Sequence, residues 1–376
     1  MILTRHLKQL LPVRLNTVIW SQEYFVTRED VRLYVYRKRA TAPQAGEAAK
    51  PVLLLVHGST VSGRNTYDLQ VPGGKDYSVM DYFAERGYDC WTVDHEGYGR
   101  SSWSGRGNSD VRTGAKDLGA VVPFILQETG AQKINIFGSS SGALRACVYT
   151  EANPDTVARL GLSALVYTGA GAPTLEQRRK KLPEYSASPR RKVDLAFYEG
   201  MFNRDKPGSS EDSVPKAIAA AELPLVSEVP TGTYVDMCAN LPLVKPENIP
   251  CPTLVIRGEY DGIAAEPDLL DFFTRLPTKD KQFVVLSGIA HNPMMGVVRN
   301  KFHHALETFL KAPIYIRNFQ GEPQHDNSSM VGWNRTLDAQ RRHSIVSVAQ
   351  SCPQKRTACR HHFVCARLLH GVSTHI

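Results

Sequence analysis

The chain reads as an α/β protein, a mostly parallel central sheet with helices on both faces, entered by a short antiparallel hairpin and carrying a helical insertion. Three observations predict this. Short uninterrupted apolar runs, such as Val52-Leu53-Leu54-Leu55-Val56 and Cys90-Trp91-Thr92-Val93, have the character of strands covered on both faces. Segments of helical spacing alternate with them and stop at glycines, as at Gly87 and Gly130. Glycine-marked loops follow the strands, which is where reactive groups gather in parallel sheets.

In chain order, Tyr24–Thr27 and Val31–Arg37 are rich in β-branched and aromatic residues and predict a hairpin turning at Glu29-Asp30. The small polar stretch from Thr41 to Lys50 is a surface connection to the Val52–Val56 strand, which ends in His57-Gly58-Ser59-Thr60. Ser78–Arg86 predicts a helix and Cys90–Val93 the next strand, followed by the loop Asp94-His95-Glu96-Gly97-Tyr98-Gly99-Arg100-Ser101. Ser109 is positioned to cap a helix running through Glu128, and Ile134–Phe137 is the strand after it. Ala164–Tyr167, Thr253–Ile256 and Gln282–Leu286 complete the predicted strands, and a helix from Met294 to Lys311 closes the pattern.

The interval between Gly169 and Cys251 breaks the rhythm. It shows no core strand, only helical pieces such as Val193–Phe202 and Val214–Ala221 among scattered prolines. An insertion of this length after a core strand predicts a cap over the strand ends. Its aromatic residues Tyr185, Phe197, Tyr198, Phe202 and Tyr234 either line a pocket or pack the cap onto the body.

The chemistry centres on Gly138-Ser139-Ser140-Ser141-Gly142, between a predicted strand and a predicted helix. A chain reversing so sharply needs small residues two positions either side of its apex, and both are glycine, so Ser140 is the apex. The helix beginning beneath it offers free N–H groups and the positive end of its dipole, which suits a developing negative charge. A serine nucleophile also needs a base and a carboxylate to orient that base. Arg257-Gly258-Glu259-Tyr260-Asp261-Gly262 and Ser287-Gly288-Ile289-Ala290-His291 each follow a predicted strand, giving the order Ser140, Asp261, His291. Glu259 is a rival for the carboxylate.

With these motifs the chain resembles the α/β-hydrolase superfamily. Its nucleophile elbow stands as GSSSG, its oxyanion loop as His57-Gly58-Ser59-Thr60, its acid loop as RGEYDG and its histidine loop as SGIAH. The resemblance spans roughly residues 22–312. It implies an N-terminal extension over 1–21, a hydrolase core over 22–173 and 249–312, a cap over 174–248 and a separate tail over 313–376. It implies that Ser140 is the nucleophile, His291 the base and later the acid, and Asp261 its orienting partner. The backbone N–H groups of Ser59 and Ser141 would form the oxyanion hole, with Thr60 as a rival to Ser59. One departure stands out: the family's D-x-R-G-x-G-x-S loop has Glu96 where arginine is usual.

The resulting expectation is a serine hydrolase cleaving a carboxylic ester, lactone or related acyl compound through an acyl-enzyme, with no cofactor and no metal. The same residues would serve acyl transfer, carbon–carbon bond hydrolysis or peptide hydrolysis, and a low-turnover ligand-binding homologue is the reading from another class. Halide or epoxide opening uses a carboxylate at the elbow, where this chain has Ser140. No HExxH motif and no phosphate-binding glycine fingerprint is present, and the Cys352, Cys359, Cys365, His361 and His362 group fits no zinc spacing.

Composition fits an ordinary soluble globular protein without a nucleic-acid surface in its body. The formal net charge is +8, but residues 317–376 hold eight Lys/Arg against three Asp/Glu, so most of the excess belongs to the tail. That tail also carries six of the twelve histidines and little periodicity, which predicts disorder. Cys90, Cys147, Cys238 and Cys251 stand singly among apolar residues and predict reduced thiols in a cytoplasmic protein. The basic stretch Met1–Trp20 reads as an amphipathic surface helix or, alternatively, a mitochondrial transit peptide. No apolar run is long enough to span a membrane. The partner expected is a small acyl substrate; oligomeric state is not written in the sequence.

Overall fold

The structure, a computed structural model, describes residues 19–313, 315–317 and 323–325. The chain divides into two units, Met1–Pro313 and Ile314–Ile376.

In the first unit, β1 (Trp20–Arg28) and β2 (Val31–Arg39) form the expected hairpin, each longer than its apolar residues alone suggest. β3 (Val52–Val56) precedes the short helices α1 (Gly63–Tyr67) and α2 (Val79–Ala84), the latter capped by Ser78, whose hydroxyl accepts from the Asp81 N–H. β4 (Asp89–Val93), α3 (Val111–Thr129), β5 (Ile134–Ser139), α4 (Ser141–Ala152) and β6 (Val157–Ser163) follow. Then come α5 (Pro173–Arg179), α6 (Leu182–Ala187), β7 (Arg190–Lys192), α7 (Leu195–Asn203), α8 (Ser213–Glu222), β8 (Glu228–Pro230) and α9 (Gly232–Val235). β9 (Thr253–Gly258), α10 (Glu266–Arg275), β10 (Lys281–Leu286) and α11 (Arg299–Lys311) complete the unit.

The main sheet has the order β1-β2-β4-β3-β5-β6-β9-β10, antiparallel through β1, β2 and β4 and parallel from β4 to β10. Successive side chains of a strand face opposite ways, and the two apolar cores divide accordingly. Val52, Leu54 and Val56 of β3 enter one core; Leu53 and Leu55 enter the other. Burying each such side chain contributes about 1.5–3 kcal/mol, so both faces of the sheet are held by helices rather than by water. β7 and β8 pair with each other, outside the main sheet.

Three elements depart from the sequence expectation. The strand expected at Ala164–Tyr167 lies at Val157–Ser163, because an arginine hides it. Arg159 is buried in β6, donates to the Ala312 carbonyl and sits over the Phe309 ring at 5.5 Å. Ala164 then turns to φ 52°, and the apolar Leu165-Val166-Tyr167 run is a buried loop. The Asp268 carboxylate accepts from the Tyr167, Thr168 and Gly169 N–H groups at 3.0, 2.9 and 3.0 Å, replacing the ladder a strand would have supplied. The cap of α3 is Asp110, which accepts from Thr113 N–H at 2.7 Å, rather than Ser109, at φ 49°. The helix expected from Met294 begins at Arg299, since Pro293–Met295 form a separate turn ahead of Gly296.

In the second unit, β11 (Tyr315–Arg317) and β12 (Pro323–His325) pair antiparallel. The expected disorder of the tail otherwise falls outside the described residues, as do the readings made of 1–18 and the tail Cys/His group. Among the described residues no helix is long and apolar enough to cross a membrane, and Cys90, Cys147, Cys238 and Cys251 are buried and unpaired.

Candidate active site

The turn from β5 into α4 forces Ser140 to φ 56°, ψ −124°, a conformation that non-glycine residues rarely adopt. The turn is possible because its flanks have no side chains. A Cβ on Gly138 would stand 2.5 Å from the Gly142 carbonyl oxygen, and one on Gly142 would stand 2.2 Å from that of Val56. Both contacts are with backbone, so neither could be relieved by a rotamer change.

Across from this turn, His291 follows β10 and Asp261 follows β9. His291 Nε2 lies 3.0 Å from Ser140 Oγ, and its Nδ1 lies 2.9 and 3.0 Å from the two Asp261 carboxylate oxygens. Asp261 Oδ1 also accepts from the Ile263 and Ala264 N–H groups at 2.9 and 3.0 Å, which fixes the carboxylate independently of the histidine. A carboxylate against Nδ1 holds the proton there, leaving Nε2 as an acceptor facing the serine hydroxyl. Asp261 and His291 are buried, whereas Ser140 is half-buried. The three expected residues therefore form one continuous hydrogen-bonded line.

Glu259, the rival acid, points elsewhere and accepts from Gly288 N–H at 2.9 Å, tying the acid loop to the histidine loop. Ser59 and Ser141 flank Ser140, and the Ser59 hydroxyl donates to Ser141 Oγ at 2.7 Å. Gly58 is pressed against the turn, since a Cβ there would lie 3.3 Å from Ser140 Cβ. Thr60 lines the same cavity, its hydroxyl accepting from Arg191 Nη2 at 2.8 Å.

The other two histidines at strand ends are held apart from this line. His57 donates from Nδ1 to the Gly58 carbonyl at 2.8 Å and accepts from the His95 N–H at 3.0 Å through Nε2. Burial, with His95 and Arg145 adding to it, keeps His57 well below the usual imidazole range and therefore neutral. Glu96, the departure from the family loop, pairs with Arg28 at 2.5 Å and accepts from the Ser104 hydroxyl at 2.6 Å. It thus fastens the end of β1 to the loop after β4 and takes no part in the cavity at Ser140.

That cavity is walled by Ser140, His291 and Thr60 from the sheet side and by Arg178, Arg204 and Tyr234 from the interval between β6 and β9. Of the five aromatic residues singled out in the sequence, Tyr234 alone reaches the wall. Tyr198 and Phe202 are buried in the core, Tyr185 packs edge-on to Tyr234 at 5.1 Å, and Phe197 lies under the Arg191 guanidinium. Sequence reasoning missed the arginines. The signal of Arg178 was the run Arg178-Arg179-Lys180-Lys181, which looks like a solvated charged face. Among the described residues no group of three or more His, Cys, Asp or Glu side chains is arranged to hold a metal ion.

The sheet order and its helices, with the site at the carboxyl ends of the strands, define an enzyme of the α/β-hydrolase class. The chain belongs to the family described as serine aminopeptidase, S33, whose model matches residues 73–296, more than half of its length. It is 25% identical over 199 residues to lipase member K of Homo sapiens and 28% identical over 195 residues to gastric triacylglycerol lipase of Rattus norvegicus. Each alignment takes in 48% of this chain and 47% of the relative, so the chain spans about half the length of the curated relatives it matches. An esterase from Exiguobacterium antarcticum has the same fold, with a TM-score of 0.58 and 18% identity over 77% of this chain and 100% of that one.

Proposed function

We propose that the protein is a serine hydrolase that cleaves a carboxylic ester, lactone or related acyl compound through an acyl-enzyme on Ser140. The observation supporting this is the line from Asp261 through His291 to Ser140 Oγ, with 2.9 and 3.0 Å at its two links. In this reading Ser140 Oγ attacks the acyl carbon while its proton passes to His291 Nε2. Asp261 stabilises the imidazolium that results. The carbonyl oxygen becomes an oxyanion, met by the backbone N–H groups of Ser59 and Ser141; losing one such donor typically costs about 3 kcal/mol of transition-state stabilisation. Collapse expels the alcohol, which takes the proton from His291. Water then gives a proton to the same nitrogen and attacks the acyl carbon; the bond to Ser140 Oγ breaks, His291 returns the proton to that oxygen, and the acid leaves. The interval 174–248 acts as the cap, covering the reacting carbon with Arg178, Arg204 and Tyr234. The reduced, buried thiols fit a cytoplasmic enzyme.

Peptide hydrolysis uses the same atoms with an amine as leaving group, and the family description favours it as the second reading. The names of the relatives, two lipases and an esterase, favour esters. The test is labelling by a fluorophosphonate probe together with turnover of p-nitrophenyl esters and aminoacyl p-nitroanilides. The parent protein should label and hydrolyse the esters faster than the anilides. Ser140→Ala should not label and should lose about a million-fold in kcat. Equal labelling of Ser140→Ala would overturn the assignment.

A further inference from the structure

The wall facing Ser140 carries more positive charge than an enzyme for neutral acyl compounds requires. Three arginines surround Tyr234. The Arg178 guanidinium lies 4.1 Å and that of Arg191 4.2 Å from the centre of its ring, and Arg204 lines the same cavity. Their compensation is unequal. Arg204 is spent, because it holds Asp205 through two hydrogen bonds of 2.8 and 2.7 Å. Burial opposes the charge on Asp205, but Arg204 and the Thr174 hydroxyl outweigh it and hold the acid at about 2, so it stays ionised. Arg191 bonds to neutral oxygens alone, the Ser59 carbonyl and Thr60 Oγ1, and its Nε and Nη1 are buried without a partner. Arg178 is half-buried and, among the described residues, no carboxylate pairs with it or with Arg191; the acid near its helix end, Glu176, is taken by Arg179.

We infer that this wall is an anion-recognition subsite and that the acyl substrate of Ser140 carries a carboxylate or phosphate, met by Arg178 with Tyr234 beside it. The inference rests on the ester-hydrolase reading of the same site and goes further by naming the charge of the substrate. Unpaired guanidiniums in a partly desolvated wall are costly unless something negative completes them, and a planar two-donor fork matches carboxylate and phosphate oxygens. Tyr234 reports the same field. Burial would raise its phenol, yet Arg178, Arg191, the Thr60 hydroxyl and Arg204 together bring it down to about 8. A neutral acyl chain would leave this charge unanswered.

Two pairs of esters locate the anion. p-Nitrophenyl hydrogen glutarate against p-nitrophenyl pentanoate places a carboxylate on the acyl side, and 4-acetoxyphenyl phosphate against phenyl acetate places a phosphate on the leaving group. In at least one pair, the parent enzyme should favour the charged ester by about tenfold or more in kcat/KM, a size within the range of one charge-assisted contact. Arg178→Met should bring that ratio to about one, Arg178→Lys should retain part of it, and Arg179→Met should leave it as in the parent. Calorimetric titration of the parent and Arg178→Met proteins with glutarate and with inorganic phosphate reads the subsite without turnover, so it stands apart from the Ser140 labelling that tests the reaction. Binding that depends on Arg178 supports the subsite even if labelling fails. Fluorophosphonate labelling at Ser140 with no charge preference and no anion binding would overturn the subsite and leave the hydrolase reading in place. A preference that survives Arg178→Met would overturn the role of Arg178.

Discussion

Ser140 shows how local strain and chemistry are coupled. A residue at φ 56°, ψ −124° stores about 1–3 kcal/mol, held in place by the sheet on one side and α4 on the other. Glycine occupies this region freely, at the cost of a more disordered unfolded chain. Ser140→Gly should therefore abolish turnover while raising unfolding stability by about 1 kcal/mol, readable from urea titrations. His303 makes a pH-dependent contribution of opposite sign. It is buried against Tyr82, with ring centres 4.2 Å apart, and its Nε2 has no partner. Burial dominates and pushes it down to about 4, with Asp76 and Glu307 opposing and Arg299 and Arg86 assisting. Between pH 6.5 and 4 the unfolded chain takes up a proton that the folded chain refuses, so stability falls as the pH falls. His303→Phe removes that loss, and relative to the parent it should gain about 2 kcal/mol on going from pH 7 to pH 5.

At the level of elements, the β5–α4 turn depends on Gly142 more than on any side chain. An added Cβ would meet the Val56 and His57 carbonyl oxygens at 2.2 and 2.5 Å, so β3 and α4 must separate to admit it. Gly142→Ala should cost about 3 kcal/mol and lower the melting temperature together with activity. The same packing explains why β3, β5 and β9 were legible in the sequence. Their apolar residues enter both cores, and each strand places at least three of them within four consecutive positions. β6 was not legible, because Arg159 satisfies its charge on a carbonyl and an aromatic ring far along the chain, a partnership that no local pattern records. Ser140, Asp261 and His291 could be found because each lies in a glycine-marked loop just past an apolar run. Arg178 could not, because its neighbours Tyr234 and Arg191 join it only through the folding of a proline-interrupted segment.

For the whole molecule, the division at Pro313 carries a prediction of its own. Among the described residues, the eight-stranded sheet, both cores and the residues lining the Ser140 cavity belong to the first unit. A chain ending at Pro313 should keep its melting temperature within a few degrees and hydrolyse esters at the parent rate, as measured by calorimetry and p-nitrophenyl ester assays. A marked loss of either would assign the remaining residues a part in the enzyme. The interval from α5 to α9 leaves after β6 and returns before β9, and these two strands are hydrogen-bonded neighbours, Leu162 facing Val255. Because the two strands are parallel, the interval leaves at the carboxyl end of β6 and returns at the amino end of β9, so it crosses a single seam of the sheet, and a change confined to it leaves every rung of the ladder intact. On the proposed reading, such a seam would let substrate preference change as a replaceable cassette while the machinery that breaks the bond is inherited unchanged.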